Sequence, residues 1–259
     1  MAGQKDSTAA GTSATFLNLP SELRNGIYEL VLLHDEPIDP WTKYDRHREF
    51  TPGLLRVNKV VQREASPMFY GQNRFSLTRD TPEEIALFLE QIGCENAGCI
   101  RHIIIDFPKF LHLDLGDITL EEDSVSILAS IRNSCANLTT LATSLYSTDA
   151  MELRLDNLEH HTVVDEALKL VDNHFRAIPS LQEIVLEVYE DGPSGHIRER
   201  MKSHGWTLHT TENVEEEEDW GREFSDLDDV DYGYGYGDED EDDNYDIDDD
   251  SDFWRRAAD

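Results

Sequence analysis

Between residues 75 and 211, short apolar runs rich in β-branched residues alternate with stretches of helical periodicity. No other feature restricts the fold as much. The runs occupy 75–78, 99–107 (CIRHIIIDF), 137–147 (NLTTLATSLYS), 181–190 (LQEIVLEVYE) and 206–211 (WTLHTT). Between them lie TPEEIALFLEQIG, capped by Thr81 and stopped by Gly93, and EEDSVSILASIRNSC, with Val125, Leu128, Ala129 and Ile131 on one face. HHTVVDEALKLVDNHFRAI, halted by Pro179, and SGHIRERMKSHG follow. A helix between consecutive strands implies parallel pairing, because antiparallel neighbours need only a tight turn. The expectation is a mixed α/β fold, with a layer of about five mostly parallel strands. The runs begin roughly 25 to 45 residues apart, too unevenly for a regular solenoid.

Ahead of this layer stand two helical stretches. In FLNLPSELRNGIYELVL, residues 16–32, Leu19, Leu23, Ile27 and Leu30/Val31 recur at helical spacing as one apolar stripe. Pro20 suits the first helical position and Glu22 complements the helix dipole. A helix this short is marginal in water, so its stripe needs a partner. It should end near Leu33-His34, before Pro37 and Pro40. A second helix is expected from Thr51 as cap and Pro52 as first residue, with Leu54, Val57, Val61 and Ala65 as its stripe. Arg56, Lys59 and Arg63 fall on another face. Pro67 should end this helix, with YGQNRF turning into the first strand.

The charge distribution sets off the C-terminus. Residues 212–259 hold 23 acidic residues against three arginines, within a chain of net charge −33. Such a segment cannot bury enough apolar surface to offset its chain entropy, so it reads as a disordered acidic tail. Its interleaved aromatics (VEEEEDWGREFSDLDDVDYGYGYG and DSDFWRR) could engage basic proteins or the chain's own Arg56, Lys59 and Arg63. The expected organisation is a disordered N-terminus (1–14), a helical segment (15–77) with an insertion at 35–52, an α/β interaction region (78–211) and the tail (212–259). No run approaches the roughly 20 apolar residues of a membrane span, and no secretory h-region follows Lys5 and Asp6. Cys94, Cys99 and Cys135 make no disulfide framework, which fits a reducing compartment, cytoplasmic or nuclear. So acidic a chain is a poor nucleic-acid binder.

Catalytic constellations are weak. GPSG at 192–195 lacks the spacing of a nucleophile elbow and reads as a turn. Cys94 and Cys99 are too far apart for a zinc pair, and nothing fixes His102, His160 or His161 beside them. The glycines of DYGYGYGDED follow no strand and sit among acids that would repel phosphate. No nucleophile, base and orienting group can be assigned together, so the expectation is a protein that is not an enzyme and takes no metal or cofactor.

One pattern is more specific. LPSELRNGIYELVL followed by LLRVNKVVQREASPMFYGQNRFSL resembles a large group of fungal F-box-like proteins. Their shared pattern is carried here by Leu19, Pro20, Glu22, Leu23, Arg24, Ile27 and Tyr28, then Leu54, Leu55, Arg56, Val57, Glu64 and Ala65, then Phe69, Tyr70, Asn73 and Phe75. The phrases ANLTTLATSLYS and PSLQEIVLEVYE add a spacing that resembles leucine-rich repeats, which makes the downstream region an irregular, leucine-rich-repeat-like layer. The resemblance implies a substrate-recognition subunit of a cullin-RING ubiquitin ligase. Leu19, Pro20, Leu23, Ile27, Leu54 and Val57 would then meet a Skp-type adaptor, and the C-terminal region would bind an unknown protein substrate. The alternative is a stand-alone binding or scaffold protein whose helices serve only as core.

Overall fold

The computed structural model describes residues 15–41, 53–192 and 195–212. The expected N-terminal segment 1–14, the cap at Thr51-Pro52 and the acidic tail from 213 onward lie outside the described residues.

Among the described residues, seven α-helices and seven strands follow in the order α1 (Ser21–Leu32), α2 (Lys59–Gln72), β1 (Arg74–Ser76), α3 (Pro82–Ala97), β2 (His102–Ile105), β3 (Phe110–Asp114), β4 (Asp117–Leu120), α4 (Glu122–Ser134), β5 (Thr140–Thr143), α5 (Leu145–Asp156), α6 (His161–Arg176), β6 (Glu183–Tyr189), α7 (Gly195–Ser203) and β7 (Thr207–Thr211). Five strands form one sheet in the order β1-β2-β5-β6-β7, every neighbouring pair parallel. The fold is therefore the mixed α/β layer read from the alternation. Parallel strands laid down in sequence order and crossed over with one hand send the crossover helices to one face. Accordingly α3 packs on α4, α4 on α6 and α6 on α7.

Register then decides what is buried. Phe75, Ile103, Leu141 and Ile184 form one row across the sheet, and Ile105, Thr143, Leu186 and Leu208 the next. All but Leu208 are buried. Helix α6 answers them with Val164, Ala167, Leu168, Val171 and Phe175, all buried. Phe107, Phe175 and Trp206 meet with ring centroids 5.8–6.3 Å apart. The Trp206 indole N–H donates to Asp172 Oδ1 at 2.8 Å, so this bulky residue is buried without an orphaned donor.

Several boundaries differ from the sequence reading. Helix α2 starts at Lys59, because Asn58 caps it by accepting from the backbone N–H groups of Val60 and Val61 at 2.9 and 3.0 Å. Residues Leu54–Arg56 form a separate 3-10 turn. Pro67 does not end α2, which runs on to Gln72 and takes in part of the expected YGQNRF turn. The proline is on the exposed side, where water can satisfy the Arg63 carbonyl it leaves unbonded, while Val61, Ala65 and Phe69 hold the helix to the core. Pro20 is the N-cap of α1 rather than its first residue.

Two elements were not anticipated. The run FLHLDLGDITL forms the antiparallel pair β3–β4, turning at Gly116 with φ +83°. The segment after β5 is helix α5, whose first three residues, Leu145 to Ser147, read as the end of a strand. Its Glu152 is fully buried and receives a two-pronged ion pair from Arg198 of α7 at 3.0 and 3.1 Å. Arg198 also donates to the carbonyls of Tyr189, the last residue of β6, and of Glu190. Gly192 of GPSG makes room for that guanidinium, since a Cβ there would lie 1.7 Å from Nη2.

The helical segment is fastened to the edge of the sheet. Ile38, inside the 35–52 insertion, pairs with Phe75 on the free side of β1: its N–H donates to the Arg74 carbonyl and its carbonyl accepts from Ser76, both at 2.8 Å. The Asn73 amide, 1 % exposed, donates to the Leu32 carbonyl at 2.7 Å and the Phe69 carbonyl at 2.9 Å, and accepts from the His34 N–H at 2.8 Å. Asn73→Ala should cost about 2–3 kcal/mol in urea unfolding, because it removes the partner of the Leu32 carbonyl and the His34 N–H at the end of α1.

Candidate functional site

Helix α1 has two apolar faces. Tyr28 and Leu32, one turn apart, are fully buried. Burying a leucine in this way is worth about 2 kcal/mol. Arg24, one turn before Tyr28, points along the same side: its Nε and Nη2 donate to Glu64 of α2 at 2.9 and 2.6 Å, and its Nη1 donates to the Leu19 carbonyl at 2.6 Å. The Tyr28 hydroxyl donates to Glu64 Oε2 at 3.1 Å, and the Tyr28 ring lies 5.7 Å from Phe16. The Arg24 guanidinium holds the Glu64 carboxyl below the usual carboxylate range. Its contribution to stability is present near neutrality and is lost as pH falls through that lowered pKa.

The stripe expected to find a partner points elsewhere. Leu23 is 56 % and Leu30 86 % exposed, with Ile27 and Val31 also open to solvent. At 100° per residue these four cluster on one side of the helix, away from Tyr28 and Leu32. Of the six adaptor candidates, Pro20, Leu23, Ile27 and Val57 are exposed, whereas Leu19 and Leu54 are half-buried. Leu54 packs against the core. Val57 follows the 3-10 turn that packs on α2, and Val60 on α2 itself is also exposed. Leu30, Val31 and Val60 were visible as apolar residues at helical spacing, but nothing in the pattern says which side of a helix a fold will bury.

A second feature lies beyond the C-terminal ends of β1, β2 and β5, the edge where open parallel sheets commonly hold ligands. A crevice of about 680 Å³ is lined there by Thr78 and Arg79 after β1, the 106–110 segment after β2, and Ser144, Tyr146 and Ser147 after β5. Met151 and Arg154 of α5 complete the wall. Asp106 organises the rim, accepting from the Arg79 backbone N–H at 3.0 Å and from Ser144 Oγ at 2.8 Å. Ser144 is thereby turned away from capping α5. Ser147 Oγ accepts the Phe107 N–H at 2.8 Å. Sequence reasoning missed this constellation because α5, which supplies much of it, was not recognised: Leu145 to Ser147 read as the end of a strand, and residues 148–156 were assigned no element.

A smaller adjoining cavity of about 200 Å³ shares Arg79, Asp106 and Lys109 but is lined also by Asp80, Glu121 and Asp123. Burial, then the charges of Asp39 and Glu84, push the Asp80 carboxyl up to about 6, with the Trp41 indole N–H acting the other way. That N–H stops short of bonding geometry, and Asp80 Oδ2 makes no hydrogen bond among the described residues. Because the folded state holds this proton more tightly than the unfolded chain, the Asp80 contribution is present at low pH and is lost as pH rises towards 6. Asp80→Asn should therefore stabilise the protein at pH 7 by up to about 2 kcal/mol in denaturant titrations, and the gain should vanish below about pH 4.

Comparison with family models, with curated proteins and with solved structures gives no match. Among the described residues, no helix is long and apolar enough to cross a membrane.

Proposed function

We propose that this chain is a protein–protein interaction protein, a substrate-recognition subunit of a cullin-RING ubiquitin ligase that docks a Skp-type adaptor through the outward face of α1. The reading begins from the F-box-like pattern in residues 16–77. The observation that carries it is the exposure of Leu23, Ile27, Leu30 and Val31 on a helix already anchored by Tyr28 and Leu32. A helix needed only as core would leave polar residues on that side. Contiguous exposed apolar surface on a monomer marks an interaction site more often than not. The mechanism is tethering: α1 and the Val57 turn hold the adaptor, the α/β layer presents a protein target, and no residue of this chain performs covalent chemistry.

The second reading, a stand-alone scaffold whose helices are structural, draws on a different part of the same pattern. Arg24, Tyr28, Glu64, Asn73 and Phe75 are all committed to internal bonds or packing. The two readings part at Leu23 and Ile27. Leu23→Asp and Ile27→Asp, at solvent-facing positions, should leave stability within about 0.5 kcal/mol of wild type. Each should reduce capture by purified Skp-type adaptor at least tenfold. Leu54→Asp serves as the contrast, because it places a charge against the core and lowers stability directly. A folded wild-type chain that captures no adaptor would leave the scaffold reading standing.

A further inference from the structure

The crevice at the strand ends is built for a ligand that none of the helical contacts uses. Part of its lining is apolar: Phe107, Pro108, Phe110 and Met151 contribute from largely buried positions, and the largely exposed Tyr146 ring also lines it. About 680 Å³ is within the usual range for a small organic molecule. Three cations, Arg79, Lys109 and Arg154, surround it in a chain whose net charge is −33. Arg154 spends one nitrogen on the Phe110 carbonyl at 2.7 Å. Among the described residues, the Arg79 guanidinium and the Lys109 ammonium have no hydrogen-bond or ion-pair partner. Of the two acids on the lining, Asp106 is occupied by the Arg79 backbone and Ser144. Asp39 has an interaction of its own.

Arg79 adds an independent argument. It is the one non-glycine residue with positive φ among the described residues, at +66°. A side chain in the left-handed region is unfavourable, and glycine or asparagine would hold the same turn more easily. Backbone outliers of this kind concentrate where a side chain is needed in one place. Here the Asp106 carboxylate clamps the Arg79 N–H, and the guanidinium is carried to the mouth of the crevice.

We infer that this crevice binds an organic anion: a carboxylate or phosphate head held by Arg79 and Lys109, on a flat or aliphatic body seated against Phe107, Phe110 and Met151. Bare phosphate would leave the apolar wall unused. The same chemistry is offered by a free small-molecule acid and by an acidic side chain next to an apolar one in a peptide. The inference stands apart from adaptor docking, since no α1 residue lines the crevice.

The experiment is calorimetric titration of the full chain with 2-naphthoate, with its neutral amide, and with the end-blocked peptide Asp-Glu-Phe-Asp-Glu. At least one anionic probe is expected to bind one to one, and naphthoate at least tenfold more tightly than the amide if it is that probe. Arg79→Gly and Lys109→Glu should each weaken binding tenfold or more. Ala150→Trp, which fills the crevice from an exposed lining position, should abolish it. Arg79→Gly should unfold at the same temperature as wild type or higher, because glycine takes the φ of +66° without strain. Leu23→Asp should leave binding unchanged. Naphthoate alone binding in this pattern assigns the site to a small acid, and the peptide alone assigns it to a protein segment. No binding of either anion at millimolar concentration, equal binding of naphthoate and the amide, or binding indifferent to the three crevice variants would overturn the inference.

Discussion

A buried side-chain amide, Asn73, ties the ends of α1 and α2 together at the point where the chain enters the sheet. Asn73 lies between the end of α2 and the start of β1, and its three hydrogen bonds reach the last turn of α1, the last turn of α2 and the chain leaving α1. Helix ends leave carbonyls without partners, and these two ends are held where water has little access. With Asn73 in place, α1 is oriented so that Tyr28 and Leu32 turn inward. Arg24 and Tyr28 then meet Glu64, and Leu23 and Ile27 turn outward. The orientation of the proposed docking face thus depends on one polar residue at some distance from it.

The Arg24–Glu64–Tyr28 cluster acts in the same direction. An ion pair closed by two parallel hydrogen bonds has stricter geometry than an apolar contact, so it sets the rotation of α1 about its own axis as well as its distance from α2. The polar contacts hold it where Leu30 is 86 % exposed.

The layer itself was legible, because a parallel sheet needs helical crossovers between its strands, and that alternation survives in sequence. CIRHIIIDF and LQEIVLEVYE became β2 and β6 with their apolar residues in register. What failed to show was decided by contacts distant in sequence. The first three residues of α5, Leu145 to Ser147, belong to the uncharged run NLTTLATSLYS, and at the junction itself only Ser144, bonded to Asp106, marks where strand gives way to helix. Pro67 looked like a helix stop because its exposure could not be read from its neighbours. The β3–β4 hairpin carried a visible signal in the alternation of FLHLDLGDITL around Gly116, but the run is short and lies between stronger elements. At the candidate site the six residues were identifiable as apolar, and their division into four exposed and two half-buried was not.

The pairing of Ile38 with β1 bears on how such a sheet behaves in a crowded solution. An open parallel sheet has two free edges, each a template on which another chain can add a strand. Ile38 takes the backbone groups of Arg74 and Ser76 that face away from β2, so the β1 margin already has a neighbour from the same chain. The margin left is β7, five residues long, made of threonine, leucine and histidine and followed at once by Glu212. A strand arriving from another molecule would meet Glu212 at the end of β7. One margin of the sheet is thus occupied by the chain itself, and the other closes on a negative charge.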